Sequence, residues 1–426
     1  MLHVFKFGGA ALKDPAGLAR LPQLLSDYRN DQLVIVVSAM GKTTNQLERL
    51  ARLATSGDTE AAKGQFEAIR KFHFELVAAS FQADYEPVMA ALTPYYTELW
   101  QVVEGLRLLG EYPARIHDRI MAFGELLSSR IVEQYLLRQG APIVWVDARN
   151  LIATDATHKD AEVLWHTTAA QVAPTLRPLL QAGQWVLTQG YIARTPEGRT
   201  TTLGREGSDY TAAILAHLLG ADQVTIWKDV PAVMSADPRQ DPDTAHPLHE
   251  LSYRQAVEMT YYGATVIHPK TLKPLENKGI PLAVRSFLEP QAPGTQIGPQ
   301  VADGQLAVPG VLRKPDQCLL ALQARDLAFM DAGHLRHLLA QADAVGLAIH
   351  LVQTSALTLE LCCTYDPDAV AAFANALADG YTTQLTTHLQ LVSLLGYTHA
   401  TPPRWAEDAL LYQRSGSVLR LVRPMR

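Results

Sequence analysis

An α/β fold with a mostly parallel sheet, followed by a smaller α+β unit, is what the sequence predicts, and three observations predict it. Short strand-like runs recur as continuous apolar segments, the pattern of strands buried on both faces of a parallel sheet. Helical stretches lie between them, which favours interleaved α/β over segregated α+β. Beyond Pro299 the rhythm changes to a closed succession of strand, helix, two strands, helix and strand.

The strand runs of the first part are His3 to Phe7, Gln32 to Val37, Pro142 to Val146, Trp185 to Leu187, Gln223 to Trp227 and Pro281 to Arg285. From Asn45 to about Gly140 the pattern turns helical, with Leu47, Leu50, Ala51 and Ala54 on one face and Ile116, Ile120, Leu127 and Ile131 on another. Pro87, Pro94 and Pro113 are expected to break this stretch into several helices. Residues 1–300 therefore read as one domain with a helical excursion at about 45–140.

The segment Pro299 to Pro315 holds three Pro and two Gly, so residues 301–314 are the natural linker. Residues 315–395 then read as strand Gln317 to Gln323, helix Asp331 to Ala342, strands Leu347 to Val352 and Ala356 to Cys362, helix Pro367 to Ala378 and strand Thr386 to Leu394. Residues 396–426 are less regular, with a helix expected from Trp405 to Tyr412 and a strand from Gly416 to Val422.

Composition excludes several classes. The 37 basic and 43 acidic residues are mixed along the chain, and the net charge of −6 leaves no positive block to neutralise a nucleic-acid backbone. No apolar run approaches the roughly 18 residues of a membrane span. The chain enters an apolar strand directly after Met1, which leaves no room for a signal peptide, so the cytosol is the expected address. Cys318, Cys362 and Cys363 sit among strand-forming residues and suit reduced, buried thiols. Cys362 and Cys363 point to opposite faces of one strand and are not expected to pair.

Chemistry is carried by a few segments. Phe5-Lys6-Phe7-Gly8-Gly9 ends a strand in paired glycines whose amides suit phosphate oxygens, with Lys6 adding a point charge; alone, it equally fits a surface Lys before a tight turn. Ser38-Ala39-Met40-Gly41-Lys42-Thr43-Thr44 opens a helix after a strand, but Val36 stands where a P-loop requires Gly. What remains is a turn able to hold an anion at a helix N-terminus, or ordinary capping by Thr43 or Thr44.

The most informative stretch runs from Thr188 to Arg239, where Gly190-Tyr191-Ile192 leads into Thr200-Thr201-Thr202-Leu203-Gly204-Arg205-Glu206-Gly207-Ser208-Asp209. Ser208 or Asp209 is placed to cap the following helix, and Arg205 offers a planar fork for a carboxylate or phosphate. Lys228-Asp229-Val230 lies just beyond a strand's carboxyl end, where open α/β sheets bind ligands, and Asp237-Pro238-Arg239 follows. Glu125, after Gly124 in a predicted helix, suits a cationic ligand group or a plain exposed turn.

Taken in order, Lys6-Phe7-Gly8-Gly9, Val37-Ser38-Ala39-Met40-Gly41, Gly124-Glu125, the run Thr200 to Ala213, Ile226-Trp227-Lys228-Asp229-Val230, Ala236-Asp237-Pro238-Arg239 and Gly263-Ala264-Thr265-Val266-Ile267-His268-Pro269 resemble the aspartokinase family over roughly residues 1–300. The resemblance implies a three-layer α/β/α sandwich, the amino-acid kinase fold, followed by ACT regulatory modules. One such ACT-like unit matches residues 315–395, and residues 396–426 fit a partial or degenerate second.

The same resemblance implies transfer of the γ-phosphoryl group of ATP, with Mg2+, to the side-chain carboxylate of aspartate, the first step of lysine, threonine and methionine biosynthesis. Lys6 would touch the transferred group, and Asp209 would organise that lysine and nearby donors. Ser38, Thr44, Glu125, Arg205 and Ser208 would hold aspartate, and Lys6, Gly8, Gly9, Lys228, Asp229, Met234 and Arg239 the nucleotide. No metal ligand is assigned among the side chains. A homodimer through an edge of the ACT-like sheet is expected.

Ala10, Ala11, Glu206, Ala232 and Thr265 depart from the family's pattern, and the Asp331 to Leu335 loop does not match its effector loop. Two alternatives stand beside the main reading. One is a relative of the same fold acting on glutamate, acetylglutamate or a nucleotide monophosphate. The other is a catalytically silent amino-acid-binding regulatory protein.

Overall fold

The computed structural model describes residues 1–243, 245–264, 267–301, 310–397, 399, 403 and 406–425. They form two compact units. The first comprises Met1–Val233, Pro247–Val257 and Thr265–Asp303, the second Met234–His246, Glu258–Ala264 and Gly304–Arg426.

In chain order the first part runs β1 (Leu2–Phe7), α1 (Pro15–Ser26), β2 (Gln32–Val37), α2 (Thr43–Thr55), α3 (Thr59–Phe81), α4 (Tyr85–Leu109), α5 (Ala114–Arg138), β3 (Ile143–Trp145), α6 (Trp165–Gln181), β4 (Trp185–Gln189), β5 (Ile192–Arg194), β6 (Thr200–Thr202), α7 (Gly207–Leu219) and β7 (Gln223–Lys228). It continues with β8 (Val233–Met234), β9 (Pro247–Leu248), β10 (Glu250–Leu251), α8 (Tyr253–Tyr262), α9 (Pro269–Glu276), β11 (Leu282–Ser286) and β12 (Thr295–Ile297). The main sheet has the order β10-β12-β11-β7-β1-β2-β4-β3, parallel from β11 through β3, with β12 antiparallel to β11. Helices α1 and α5 cover one face and α6, α7 and α9 the other, which is the predicted three-layer α/β/α arrangement.

β1 sits at the centre between β2 and β7, so its side chains are buried on both faces. Phe5 and Phe7 turn to the same side, against Tyr28, Trp227 and Phe287. Each fully buried Phe contributes about 3 kcal/mol of apolar transfer energy. Alternation along the strand then sends Lys6 to the opposite side.

The helical excursion is real, but its breaks differ from those expected. Pro113 caps α5, whereas Pro94 lies inside α4, and the chain turns instead at Ser56–Asp58, Gln82–Asp84 and Gly110–Pro113. Gly110 ends α4 in a left-handed C-cap at φ 68°. The packing of α4 on α2, α3 and α5, through Leu92, Tyr96 and Leu99, outweighs the hydrogen bond that Pro94 removes.

The second unit carries β13 (Gly310–Ala324), α10 (Ala332–Ala344), β14 (Ile349–Thr354), β15 (Thr358–Thr364), α11 (Pro367–Leu377), β16 (Tyr381–Leu395), β17 (Leu411–Ser415) and β18 (Val418–Pro424). Its antiparallel sheet has the order β14-β15-β13-β16-β18-β17. The first six elements follow the predicted βαββαβ succession. Asp331, in the loop without a family match, caps α10 by accepting from the Gly333 and His334 amides. Cys318, Cys362 and Cys363 are buried free thiols, and Cys362 and Cys363 face different apolar clusters.

Three expectations change here. β13 starts at Gly310, so the end of the expected linker is strand; residues 302–309 lie outside the described set. The helix expected from Trp405 to Tyr412 is absent among the described residues, because Leu411 and Tyr412 open β17 and pair with Val422 and Leu421 of β18. Third, Met234–His246 and Glu258–Ala264 group with the C-terminal unit. Ala236 bridges Val311, Arg313 forms a two-pronged ion pair with Asp241, and Lys314 donates to the Tyr261 carbonyl.

Bulges on β13 near Lys314–Gln317 and Gln317–Leu319 coil this sheet. The coil brings its two edges together: Gln413 Nε2 on β17 donates to the Val352 carbonyl on β14 at 3.2 Å, and Leu351 and Leu411 share one cluster. Among the described residues, no helix is long and apolar enough to cross a membrane.

Candidate active site

The site is assembled where strands of the parallel sheet end. Lys6 is nearly buried and its Nζ lies 2.6 Å from Asp209 Oδ1 on the first turn of α7. The ammonium approaches off the hydrogen-bonding direction, so the contact is an ion pair by distance and charge. With side chains 11% and 3% exposed, it is screened little by solvent.

Glycines let the backbones converge. A Cβ on Gly9 would stand 2.2 Å from the Ala39 carbonyl oxygen, so only Gly allows the turn after β1 to lie against the turn after β2. The Gly41 amide then donates to the Gly9 carbonyl at 2.9 Å. Gly124 does the same for α5, since a Cβ there would lie 2.8 Å from the Ala39 methyl.

That approach seats Glu125 over the turn after β2. Ala39 N–H donates to Glu125 Oε1 at 3.2 Å, while Oε2 has no partner among the described residues. Burial pushes the Glu125 carboxyl up to about 8, against the opposing pull of the Ala39 amide and the Lys6 charge. Ser128, one turn on, donates to the Ser38 carbonyl at 2.6 Å, and Ser208 Oγ donates to Ser38 Oγ at 3.3 Å.

Lys6, Ser38, Thr44, Glu125, Arg205, Ser208, Asp209 and Lys228, which the sequence nominated, line one cleft of about 440 Å3. Gly8 lies beside it, 3.6 Å from Lys6 Nζ at its Cβ position. Asp229 is exposed. Met234 and Arg239 fall in the second unit, where Arg239 is exposed and bonded to Asp237 within its own turn. Thr265 lies outside the described residues.

The expected caps are not used. Ser208 and Asp209 lie inside the first turn of α7, whose N-cap is Glu206 with no side-chain cap bond. Thr43 donates instead to the Met40 carbonyl, and α2 likewise has no side-chain cap. Both helices therefore bring unsatisfied N–H groups and the positive end of a dipole toward cleft residues. Opposite charge at these ends is stabilised by roughly 0.3–1 kcal/mol per helix.

Lys159 and Tyr191 also line the cleft, although sequence reasoning assigns neither a site role. Both hold left-handed backbone, at φ 74° and 68°, as does Glu206 at 54°. Such conformations cost of order 1–3 kcal/mol each and persist where neighbours impose them. Glu206, a departure from the family's usual small residue, is held by accepting the His268 amide at 2.7 Å. Nothing in the sequence around Lys159 signals a left-handed turn, since Gly or Asn is the usual marker.

A second, larger cavity of about 660 Å3 is lined by Trp165, His217, Lys270 and Lys273 among others. It holds none of the nominated residues, and Lys270 is paired there with Asp160. Chemistry therefore points to the smaller cleft.

A model described as the amino acid kinase family matches residues 1–286. Lysine-sensitive aspartokinase 3 of Escherichia coli (strain K12) is 32% identical over 367 residues, covering 84% of this chain and 77% of that protein. A chloroplastic bifunctional aspartokinase/homoserine dehydrogenase 2 of Zea mays is 32% identical over 309 residues, covering 71% of this chain; the chain spans 33% of that relative's length. The crystal structure of E. coli aspartokinase III in complex with aspartate and ADP superposes with a TM-score of 0.84 at 27% identity, covering 100% of this chain and 96% of that one. The same enzyme with lysine and aspartate gives 0.82 at 26% identity, covering 99% of this chain and 96% of that one.

The raised Glu125 carboxyl makes a stability prediction. Its folded value of about 8 exceeds the ordinary 4.5, so between these values the folded state binds more protons than the unfolded state and stability falls as pH rises. Ligand-free Glu125→Gln should lose less stability than the parent from pH 5 to pH 8, measured by urea unfolding midpoints. Equal pH slopes in the two proteins would contradict the buried, protonated carboxyl.

Proposed function

This chain belongs to the aspartokinases, within the amino acid kinase family, and we propose that it transfers the γ-phosphoryl group of ATP to the side-chain carboxylate of aspartate. The observation that carries the reading is the buried Lys6–Asp209 pair in a cleft that Glu125 and Arg205 also line. The E. coli aspartokinase III that superposes on this chain was crystallised with aspartate and ADP, which supports both substrates.

The acceptor has an ordinary pKa of about 3.9 and is ionised at neutral pH, so no general base is required. A carboxylate oxygen attacks the γ-phosphorus, the bond to the β,γ-bridging oxygen breaks, and ADP leaves with that electron pair. The difficulty is charge. Two unit charges about 4 Å apart repel by about 4 kcal/mol at an effective dielectric of about 20. Lys6, Lys228 and the open N-terminus of α7 offset that repulsion as it develops.

Asp209 holds Lys6 at the reacting end. Arg205 takes a carboxylate of the amino acid, and Glu125 receives its ammonium, giving up its proton as the charges meet. Ser38, Thr44 and Ser208 supply hydroxyls around the substrate. On the nucleotide side the assignment covers Gly8, Gly9, Lys228, Asp229, Met234 and Arg239.

Among the described residues, no group of three or more His, Cys, Asp or Glu side chains is arranged to hold a metal ion. Mg2+ carried by ATP would supply charge neutralisation at the transferred group, with no cluster of protein side chains among the described residues assigned to hold it. The product then enters the synthesis of lysine, threonine and methionine. Assembly into a homodimer through the C-terminal unit belongs to the same proposal. It is supported by Leu327 and Phe329, which leave apolar side chains 65% and 75% exposed. Light scattering should give twice the chain mass, and a monomer at micromolar concentration would remove this part.

Acyl phosphate formed from aspartate and ATP is trapped by hydroxylamine as a hydroxamate. The parent protein should form it from aspartate and not from glutamate. Lys6→Ala should lower kcat by at least about a hundredfold while the fold, followed by circular dichroism, is kept. Near-normal turnover of that variant would contradict the role given to Lys6.

A further inference from the structure

We propose that Lys159 is a substrate-contacting cation that sets the affinity for aspartate by binding, with Arg205, the carboxylate that is not phosphorylated. This rests on the aspartokinase reading of the cleft. None of the motifs that carry that reading contains Lys159.

Lys159 reaches the cleft because its backbone is forced into an unusual shape. Its φ of 74° lies in the left-handed region that side-chain-bearing residues avoid. The cause is Asp118, a fully buried carboxylate on α5. Both of its oxygens accept the Lys159 amide, at 3.1 and 3.0 Å. The same carboxylate accepts from Thr202 Oγ1 at 2.8 Å and meets the Nδ1 atoms of His158 at 2.9 Å and His117 at 3.1 Å.

One buried group thus fixes the turn carrying Lys159 and the strand end that leads through Leu203 and Gly204 to Arg205. The rest of the turn is fixed too. Asp155 accepts from the Thr157 and Glu162 amides, and Asp160 is paired with Lys270. Between these anchors, Lys159 lines the cleft.

Among the described residues, no carboxylate lies within ion-pair distance of the Lys159 ammonium or the Arg205 guanidinium. The acidic groups at the cleft are otherwise committed: Asp209 to Lys6 and Glu206 to the His268 amide, with Glu125 buried. Two cations without carboxylate partners, beside a buried carboxyl suited to an ammonium, complement an amino acid with two carboxylates. Lys6 is held at Asp209, where the reacting carboxylate must meet phosphate. The exposed Lys159 therefore serves the carboxylate that does not react.

The test separates a cation from a turn-former. Lys159→Gly removes the ammonium and relieves the left-handed backbone, Lys159→Ala removes the ammonium alone, and Lys159→Arg keeps the charge. Hydroxamate kinetics should show the KM for aspartate raised by about fivefold or more in both Gly and Ala variants, with kcat and the KM for ATP within about twofold and the Arg variant near the parent. A Gly variant with the parent's KM for aspartate would overturn the proposal, as would a rise confined to ATP. A parent protein that makes no acyl phosphate from aspartate would overturn the functional reading and this inference with it.

Discussion

The Lys6–Asp209 ion pair is the constraint on which the rest of the site depends. It joins the centre of the parallel sheet to the first turn of α7, with both groups almost out of water. Such a pair contributes little net stability, because desolvation opposes the attraction. Losing one partner strands the other charge at a cost of about 3–5 kcal/mol. The arrangement fixes geometry more than it adds stability, and a kinase needs that geometry when it brings a carboxylate to a polyphosphate.

Around that pair the backbone is arranged at the edge of what sterics permit. Gly9, Gly124 and Gly190 stand where any Cβ would fall within 3 Å of a neighbour, so the turns after β1 and β2, α5 and α7 close on one point. Tyr191, Glu206 and Lys159 bring left-handed backbone to the same cleft, and α2 and α7 enter it without side-chain caps. These features are individually unfavourable, and the apolar packing of Phe5, Phe7, Trp227 and the α2–α5 helices offsets them. The outcome is a small polar cleft in which charges are set before any substrate arrives.

Much of this was legible in the residues. Continuous apolar runs at Gln32 to Val37 and Gln223 to Trp227 became central strands, and the βαββαβ order was visible from Gln317 to Leu394. Seven of the eight nominated side chains that line the cleft come from motifs at strand ends, helix starts and the turns between them, which local sequence encodes, while Glu125 reaches it from the middle of α5 through the close approach at Gly124. What was not legible depends on tertiary packing. Pro94 stays helical because three helices hold it, Leu411 and Tyr412 become strand because β18 offers a partner, and 234–246 joins the C-terminal unit through the Asp241–Arg313 pair. Asp118 and Lys159 were invisible for the same reason, since a buried carboxylate that gathers donors from the distant residues His158, Lys159 and Thr202 has no linear signature.

The most direct measurement is a crystal structure of this chain soaked with aspartate and ADP. The account requires aspartate in the cleft of about 440 Å3, its ammonium about 3 Å from Glu125, one carboxylate on the Arg205 guanidinium and the other facing Lys6. Aspartate bound elsewhere, or a cleft in which Lys6 has swung away from Asp209 and from the reacting carboxylate, would contradict it.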